Sequence, residues 1–320
     1  MKFSVLGAGR WGSFIAWYLN KIGNKVTLWG KESSEKIQKL LQTRQNEYVT
    51  IPESINLSTN LEESIKNSDY IVISISSQGL RGLAEEINKI EGYDKKNYIL
   101  CMKGVEKTTG SRLSTILLDC GFPKDNVAVW VGPGHIQSFV SEVPSVMIID
   151  AYNDELSKFL ATNLRSTLIR FYQGKDIVGS EIGAAAKNVM GLAAGLLDGM
   201  GYSTLKGGLM ARGSREVSRL IEACGGNPLS AYGLCHLGDY EATLFSEFSH
   251  NRKWGEMFAQ DKEFDKLAEG VDTSAALLKL ASLHGVELPI TQTVYDVIHK
   301  KITKKEAIKQ LFDRTNIYEF

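Results

Sequence analysis

Short apolar runs bounded by glycine, serine and lysine recur through the first half of the chain. Lys2–Leu6, Lys25–Trp29, Asp69–Ile75, Tyr98–Met102 and Val127–Val131 are nearly continuous in apolar residues, and Val146–Ile149 and Leu168–Phe171 follow. Such runs suit strands buried on both faces, as in a parallel sheet. Between them lie helical patterns, among them Ser13–Asn20 and the amphipathic Arg81–Ile90. Strand alternating with helix predicts a doubly wound parallel sheet. After Phe171 the strand pattern stops. The spacing then predicts helices over Asp176–Gly201, Gly207–Cys224, Leu229–Leu237, Thr273–His284 and Ile290–Lys300, with a polar loop at Ser246–Lys253. The expected organisation is an α/β domain over 1–174 and an all-helical domain over 175–320.

One helix stands out. In Asp176–Gly201, Gly183, Lys187, Gly191, Gly195 and Gly199 recur every fourth residue and form one stripe. An interior glycine costs about 1 kcal/mol relative to alanine, so the stripe predicts close approach by another backbone or a ligand. Lys187 is its only cation, with Asn188 beside it. Taken by itself, this helix also reads as a core element with one snorkelling lysine.

The first strand runs into Gly7, Gly9 and Gly12, spaced Gly-x-Gly-x-x-Gly, with a helix behind them. A strand before the motif and a helix after it form the dinucleotide-binding context of a Rossmann-like fold. There, backbone N–H groups and the helix dipole attract a pyrophosphate. The second strand ends in Gly30, Lys31 and Glu32, where an NAD-selective site carries an acid for the ribose. Gly30 leaves room for a 2′-phosphate that Lys31 could pair with, so NADP, or use of both NADP and NAD, is expected. Lys103 and the Gly132–Gly134 turn follow strand C-terminal ends, the ligand edge of such sheets.

Composition narrows the classes. The 320 residues are 43% hydrophobic and 23% charged, ordinary for a globular protein. Lys plus Arg and Asp plus Glu both number 37, so the basic excess of a nucleic-acid binder is missing. Cys101, Cys120, Cys224 and Cys235 show no Cys-x-x-Cys spacing and read as reduced thiols of a cytoplasmic protein. The histidines show no metal-ligand spacing. The longest apolar stretch, near Val189–Leu197, is too short to span a bilayer.

These motifs are carried in a fixed order: Gly-Ala-Gly-Arg-Trp-Gly at 7–12, Leu-Trp-Gly-Lys at 28–31, Met-Lys-Gly-Val-Glu at 102–106, Val-Gly-Ser-Glu-Ile-Gly-Ala-Ala-Ala-Lys-Asn-Val at 178–189 and Ala-Arg-Gly at 211–213. Leu-Gly-Asp at 237–239, Ser-His-Asn-Arg at 249–252, Glu-Gly-Val-Asp-Thr at 269–273 and Val-Glu-Leu-Pro-Ile at 286–290 complete them. In this order the sequence resembles the bacterial-type NAD(P)-dependent glycerol-3-phosphate dehydrogenases over essentially its whole length. The resemblance implies reversible hydride transfer between dihydroxyacetone phosphate and sn-glycerol 3-phosphate, feeding phospholipid synthesis. It implies Lys187 as catalytic acid/base, with Lys103 at substrate and cofactor. Asn188, Asp239, Thr243, Ser249, Asn251 and Arg252 match the substrate side. Arg10, Trp11, Lys31, Ile136, Leu267 and Glu269 match the cofactor side.

Some positions depart from the family pattern. Gly134 replaces a hydroxyl residue, and His250 stands where the family has an arginine able to fork onto phosphate. Asp239, folded against Lys187, would favour and orient its ammonium; the substrate phosphate is assigned to His250, Asn251, Arg252 and backbone N–H groups near Gly132–Gly134. A small phosphorylated substrate is thus the expected ligand, with a homodimer as the candidate assembly. The competing readings are a two-domain 2-keto or 3-hydroxy acid reductase and a catalytically silent dinucleotide-sensing protein.

Overall fold

The computed structural model describes residues 1–313. The chain forms two compact units, Met1–Lys103 with Arg112–Glu181, and Gly104–Ser111 with Ile182–Phe320.

In the first unit, β1 (Lys2–Leu6), α1 (Arg10–Lys21), β2 (Lys25–Trp29), α2 (Glu35–Thr43), β3 (Ile55–Ser58), α3 (Leu61–Lys66), β4 (Tyr70–Ile73), α4 (Leu80–Ile87) and β5 (Asn97–Leu100) alternate. They continue through α5 (Leu113–Asp119), β6 (Val127–Val131), α6 (Ile136–Val140), β7 (Ser145–Ala151), α7 (Asp154–Asn163) and β8 (Ile169–Gln173). The strands make one sheet in the order β3-β2-β1-β4-β5-β6-β7-β8. One apolar layer gathers Phe14, Ile15, Leu28, Trp130 and Ile149; the other gathers Leu6, Ile73, Leu83, Tyr98 and Leu117. Burying both faces explains why the central strands β4, β5 and β6 are almost continuously apolar.

The expected all-parallel sheet is corrected at one pair, since β6 and β7 run antiparallel. The connection between them holds only the five-residue α6, too short to run back along a sheet face. β3 lacks a clear strand pattern in the sequence, because half of its burial pattern is only partial.

The long helix α8 spans Ile177–Gly199, and the division between the units falls within it, between Glu181 and Ile182. In the second unit it is followed by α9 (Lys206–Ala223), α10 (His250–Ala259), α11 (Gly270–Leu283), α12 (Pro289–Ile298) and α13 (Lys304–Phe312). The 104–111 segment is tied here by Lys107 to Asp272 at 2.8 Å and by Lys279 to the Thr108 carbonyl. Buried Glu216 of α9 accepts the Ile290 and Thr291 N–H groups at 2.6 and 3.0 Å, capping α12 from outside its own chain segment.

Two expected elements are corrected. Leu229–Leu237 is not an α-helix; Pro228–Tyr232 is a short 3₁₀ turn that ends at the extended Gly233. Ser246–Lys253 is not all loop, because α10 starts at His250. The Ser249 hydroxyl accepts the Arg252 N–H and caps that helix. Residues 314–320 of the expected helical domain lie outside the described residues.

Candidate active site

In the first unit the three glycines at the end of β1 do different work. A side chain at Gly7, where φ is +121°, would collide with the Ser74 carbonyl, and one at Gly12 with the Gly7 carbonyl. A Cβ at Gly9 would meet only Lys36 Nζ, at 3.9 Å. Two glycines therefore shape the turn, and the third leaves open space at the N-terminus of α1. That space is the cradle a dinucleotide pyrophosphate needs, so the residues fit such a cofactor.

Around it, Trp11 packs on Phe14 and Phe139, with ring centroids 5.1 and 6.2 Å away. The Arg10 guanidinium lies 5.8 Å from the Tyr48 ring centroid, and Ile136 is buried. Lys31 pairs with Glu86 at 3.1 Å on the surface. Gly30 has a packing cause that the sequence did not reveal: a Cβ there would sit 2.7 Å from Ile37 Cβ.

Lys103 and the Gly132 turn come together, with Lys103 Nζ donating to the Gly132 carbonyl at 2.7 Å. Gly134 has φ +148°, and a Cβ would run into the Phe139 ring. The missing hydroxyl at 134 is therefore tied to a large aromatic residue five positions later.

The second unit holds the lysine of the glycine stripe. Lys187 Nζ lies 2.7 Å from Asp239 Oδ2 and donates to Thr243 Oγ1 at 2.9 Å. Asp239 comes from a 3₁₀ turn, Leu237–Asp239, and Thr243 from a π-turn, Glu241–Phe245. One turn of α8 thus meets two irregular segments, a setting where backbone adjusts to functional groups.

Next to it, Asn251 Nδ2 donates to Asn188 Oδ1 at 3.0 Å, while the Gly270 N–H donates to Asn251 Oδ1 at 2.9 Å. This chain of amides joins α8, α10 and α11. Glycine makes the approach possible, since a Cβ at Gly195 would strike the Arg252 carbonyl and one at Gly270 would sit 2.6 Å from the Asn188 carbonyl. The stripe along α8 is the bed on which α10 lies.

Arg252 points its Nε at Asp198 Oδ2, 2.7 Å away, and Lys206 Nζ is 2.9 Å from Asp198 Oδ1. Burial pushes the Asp198 carboxyl up, but hydrogen bonds from Lys206, Ser203 and Arg252 outweigh it and hold it below the usual range. His250 meets the Phe264 ring edge-on at 6.1 Å. Leu267 is 67% exposed, and Glu269 precedes α11 and accepts the Thr273 hydroxyl at its carbonyl.

Sequence profiles settle the relationship. The profile for the NAD-dependent glycerol-3-phosphate dehydrogenase N-terminus matches residues 2–157, and that for its C-terminus matches 176–309. The chain belongs to the NAD-dependent glycerol-3-phosphate dehydrogenase family. It is 32% identical to a glycerol-3-phosphate dehydrogenase [NAD(P)+] of Thermoanaerobacter sp., over 100% of this chain and 99% of that protein. A Chlorobium limicola protein of the same name is also 32% identical, over 98% of each chain. The solved glycerol-3-phosphate dehydrogenase of Coxiella burnetii superimposes with a TM-score of 0.89 at 25% identity, covering 98% of this chain and 99% of that one.

The structure also brings in polar groups that the sequence motifs do not mark as site residues. Asp198 was hidden in an apolar-looking helix end, and only its two cationic partners give it meaning. Glu181, in the first unit, accepts the Ser114 N–H at 2.7 Å, the Ser114 hydroxyl at 2.6 Å and Arg112 at 2.5 Å. His236 is fully buried two residues before the Gly-Asp pair. No helix among the described residues is long and apolar enough to cross a membrane.

Proposed function

We propose that this chain interconverts dihydroxyacetone phosphate and sn-glycerol 3-phosphate with NADH or NADPH, supplying phospholipid synthesis. The observation that carries the reading is the buried Lys187, Asp239 and Thr243 cluster in a chain matched over residues 2–157 and 176–309 by one dehydrogenase family. Cofactor binding is assigned to the α/β domain, 1–174, around Gly7, Gly9, Arg10, Trp11, Gly12, Lys31, Ile136, Leu267 and Glu269, the last two coming from the helical part. Substrate binding is assigned to the helical domain, 175–320, with Lys103 and the Gly132–Gly134 turn contributing.

A nicotinamide cofactor, when bound, would supply or accept the hydride. The chain's own task is to place a proton and hold an anion. Lys187, an ammonium aimed by Asp239 and Thr243, protonates the oxygen that becomes the alcohol and takes the proton back in the reverse direction. Asp239 keeps that cation in place, and Lys103 adds positive charge at the Gly132 carbonyl turn. The phosphate dianion is assigned to His250, Asn251 and Arg252 on the first turn of α10. There Asp198 takes two cations, so the local balance stays positive.

The experiment offers NADH and NADPH separately, with dihydroxyacetone phosphate, unphosphorylated dihydroxyacetone and 2-keto acids as substrates. The phosphorylated ketone is expected to turn over with kcat/KM at least about 10²-fold above the others, because a ketone without the phosphate forgoes the charge-assisted hydrogen bonds that a dianion makes there. Preference for a 2-keto acid, or cofactor binding with no turnover, would overturn the reading in favour of a reductase or a sensor. A homodimer in the cytoplasm, without nucleic acid, is the proposed state, and light scattering of the purified chain checks its assembly.

A further inference from the structure

Asp239 can serve Lys187 only if the turn that carries it is held against α8. The turn Leu237–Asp239 is three residues long, and its backbone bonds, such as Asp239 N–H to the His236 carbonyl at 3.0 Å, are local. Local bonds shape a turn without fixing where it docks. Besides the Lys187–Asp239 pair itself, a docking bond comes from His236, whose Nδ1 lies 2.9 Å from the Gly183 carbonyl, one helical turn before Lys187. A carbonyl only accepts, so Nδ1 carries the proton and Nε2 is left as the acceptor. Nε2 lies 2.6 Å from the Tyr240 hydroxyl, which therefore donates to it. Asp239 sits in the chain between the two clamped residues.

The surroundings are shaped for this clamp. A side chain at Gly183 would lie 2.8 Å from Cys235 Sγ and 3.1 Å from His236 Cβ, so glycine at 183 is what lets the histidine reach the helix. A side chain at Gly213 of α9 would lie 3.2 Å from the Tyr240 hydroxyl. His236 and Tyr240 are 0% and 1% exposed. Burial pushes the His236 imidazole down to about 4, so it stays neutral at neutral pH and keeps one donor and one acceptor.

We infer that His236 is a positioning residue: held between the Gly183 carbonyl and the Tyr240 hydroxyl, it docks the Leu237–Asp239 turn on α8 and keeps the Asp239 carboxylate against Lys187. The inference rests on the proposed catalytic role of the Lys187–Asp239 pair. His236 itself touches neither substrate nor cofactor in this reading and acts through Asp239.

The test compares His236→Asn, His236→Phe, Tyr240→Phe, Asp239→Asn and the double variant His236→Phe with Asp239→Asn. Melting temperature, cofactor binding, KM and kcat are measured for each. Asn places an amide N–H where Nδ1–H stood, whereas Phe keeps volume and loses both bonds. The expected result is a folded His236→Phe enzyme with unchanged cofactor binding, KM within about threefold, and kcat down about tenfold to hundredfold, the scale of a small misplacement. His236→Asn is expected to keep kcat within about threefold of the parent. The double variant should be no slower than Asp239→Asn alone, because His236 acts only through that carboxylate. A folded His236→Phe with full kcat, equal losses in Asn and Phe, or additive losses in the double variant would each overturn the proposal. If His236→Phe fails to fold, His236→Asn and Tyr240→Phe decide. Retained kcat in Asn with a drop in Tyr240→Phe supports the clamp; an unchanged kcat in Tyr240→Phe or a lost one in Asn rejects it. Full turnover in Asp239→Asn would instead remove the catalytic reading beneath it, a distinct outcome.

Discussion

Lys187 Nζ and Asp239 Oδ2 lie 2.7 Å apart with side-chain exposures of only 11% and 1%. A buried pair of this kind is costly to break from one side, about 3–5 kcal/mol, because the remaining charge is left without compensation. It also gives separable expectations for catalysis and stability. Lys187→Ala is expected to lower kcat by about 10²- to 10⁴-fold, the usual contribution of a positioned acid/base, with cofactor affinity unchanged. Combining it with Asp239→Asn should restore stability in urea unfolding but not turnover. Near-parental kcat in folded Lys187→Ala would remove the acid/base assignment.

The packing of α8 on α10 predicts opposite outcomes at two glycines. Gly195→Ala would drive a methyl into the Arg252 carbonyl and is expected to destabilise by about 1–3 kcal/mol, the cost of overpacking. Gly207, near the start of α9, has nothing within 4 Å of the added Cβ. Gly207→Ala should stabilise by about 0.4–1 kcal/mol through the unfolded chain. Denaturant midpoints of the two variants measure both.

His236 also sets a pH dependence. Its folded pKa is depressed from 6.5 to about 4, so between these values the unfolded chain binds the proton that the folded chain refuses. Its contribution is intact above 6.5 and is lost as pH falls towards 4, by at most ~3 kcal/mol. Asp150 has the opposite sign: burial raises it to about 6 against its hydrogen bonds from Ser180, Asp176 and Ala151, so its contribution is lost as pH rises through about 6. Asp150 is common to parent and variant and cancels in a comparison. The stability difference between the parent and His236→Asn should therefore shrink as pH drops from 6.5 towards 4. A difference independent of pH would show that this imidazole protonates equally in both states.

Cofactor choice is expected to depend weakly on Lys31. Its pairing with Glu86 is solvent-exposed, and such charges contribute about 0.2–1 kcal/mol. Lys31→Ala should raise KM for NADPH by no more than about fivefold, the limit those energies allow, and leave KM for NADH unchanged. Equal shifts for both cofactors would place Lys31 away from any 2′-phosphate.

Much of this architecture is legible locally. The strands from β1 to β8, other than β3, stand out as apolar runs, and α8 as a glycine-rich helix. The antiparallel turn of β7 is not legible, because strand direction depends on how α6 fits between two strands. The start of α10 hid inside a polar stretch, although Ser249 carried a capping signal. Gly30 and Gly134 looked like features of ligand space. Ile37 and Phe139 occupy the volume beside them.

The sequence by itself determined the alternation of strand and helix, the phosphate-type glycine turn after β1 and the stripe that carries Lys187. Each follows from preferences of residues a few positions apart. Only the tertiary structure decided that this amine meets Asp239 and Thr243, that Asn251 bridges Asn188 to Gly270, and that Arg252 answers to Asp198. Those partners are far apart in the chain. Their meeting depends on how closely glycine lets one helix backbone approach another, which no local pattern encodes.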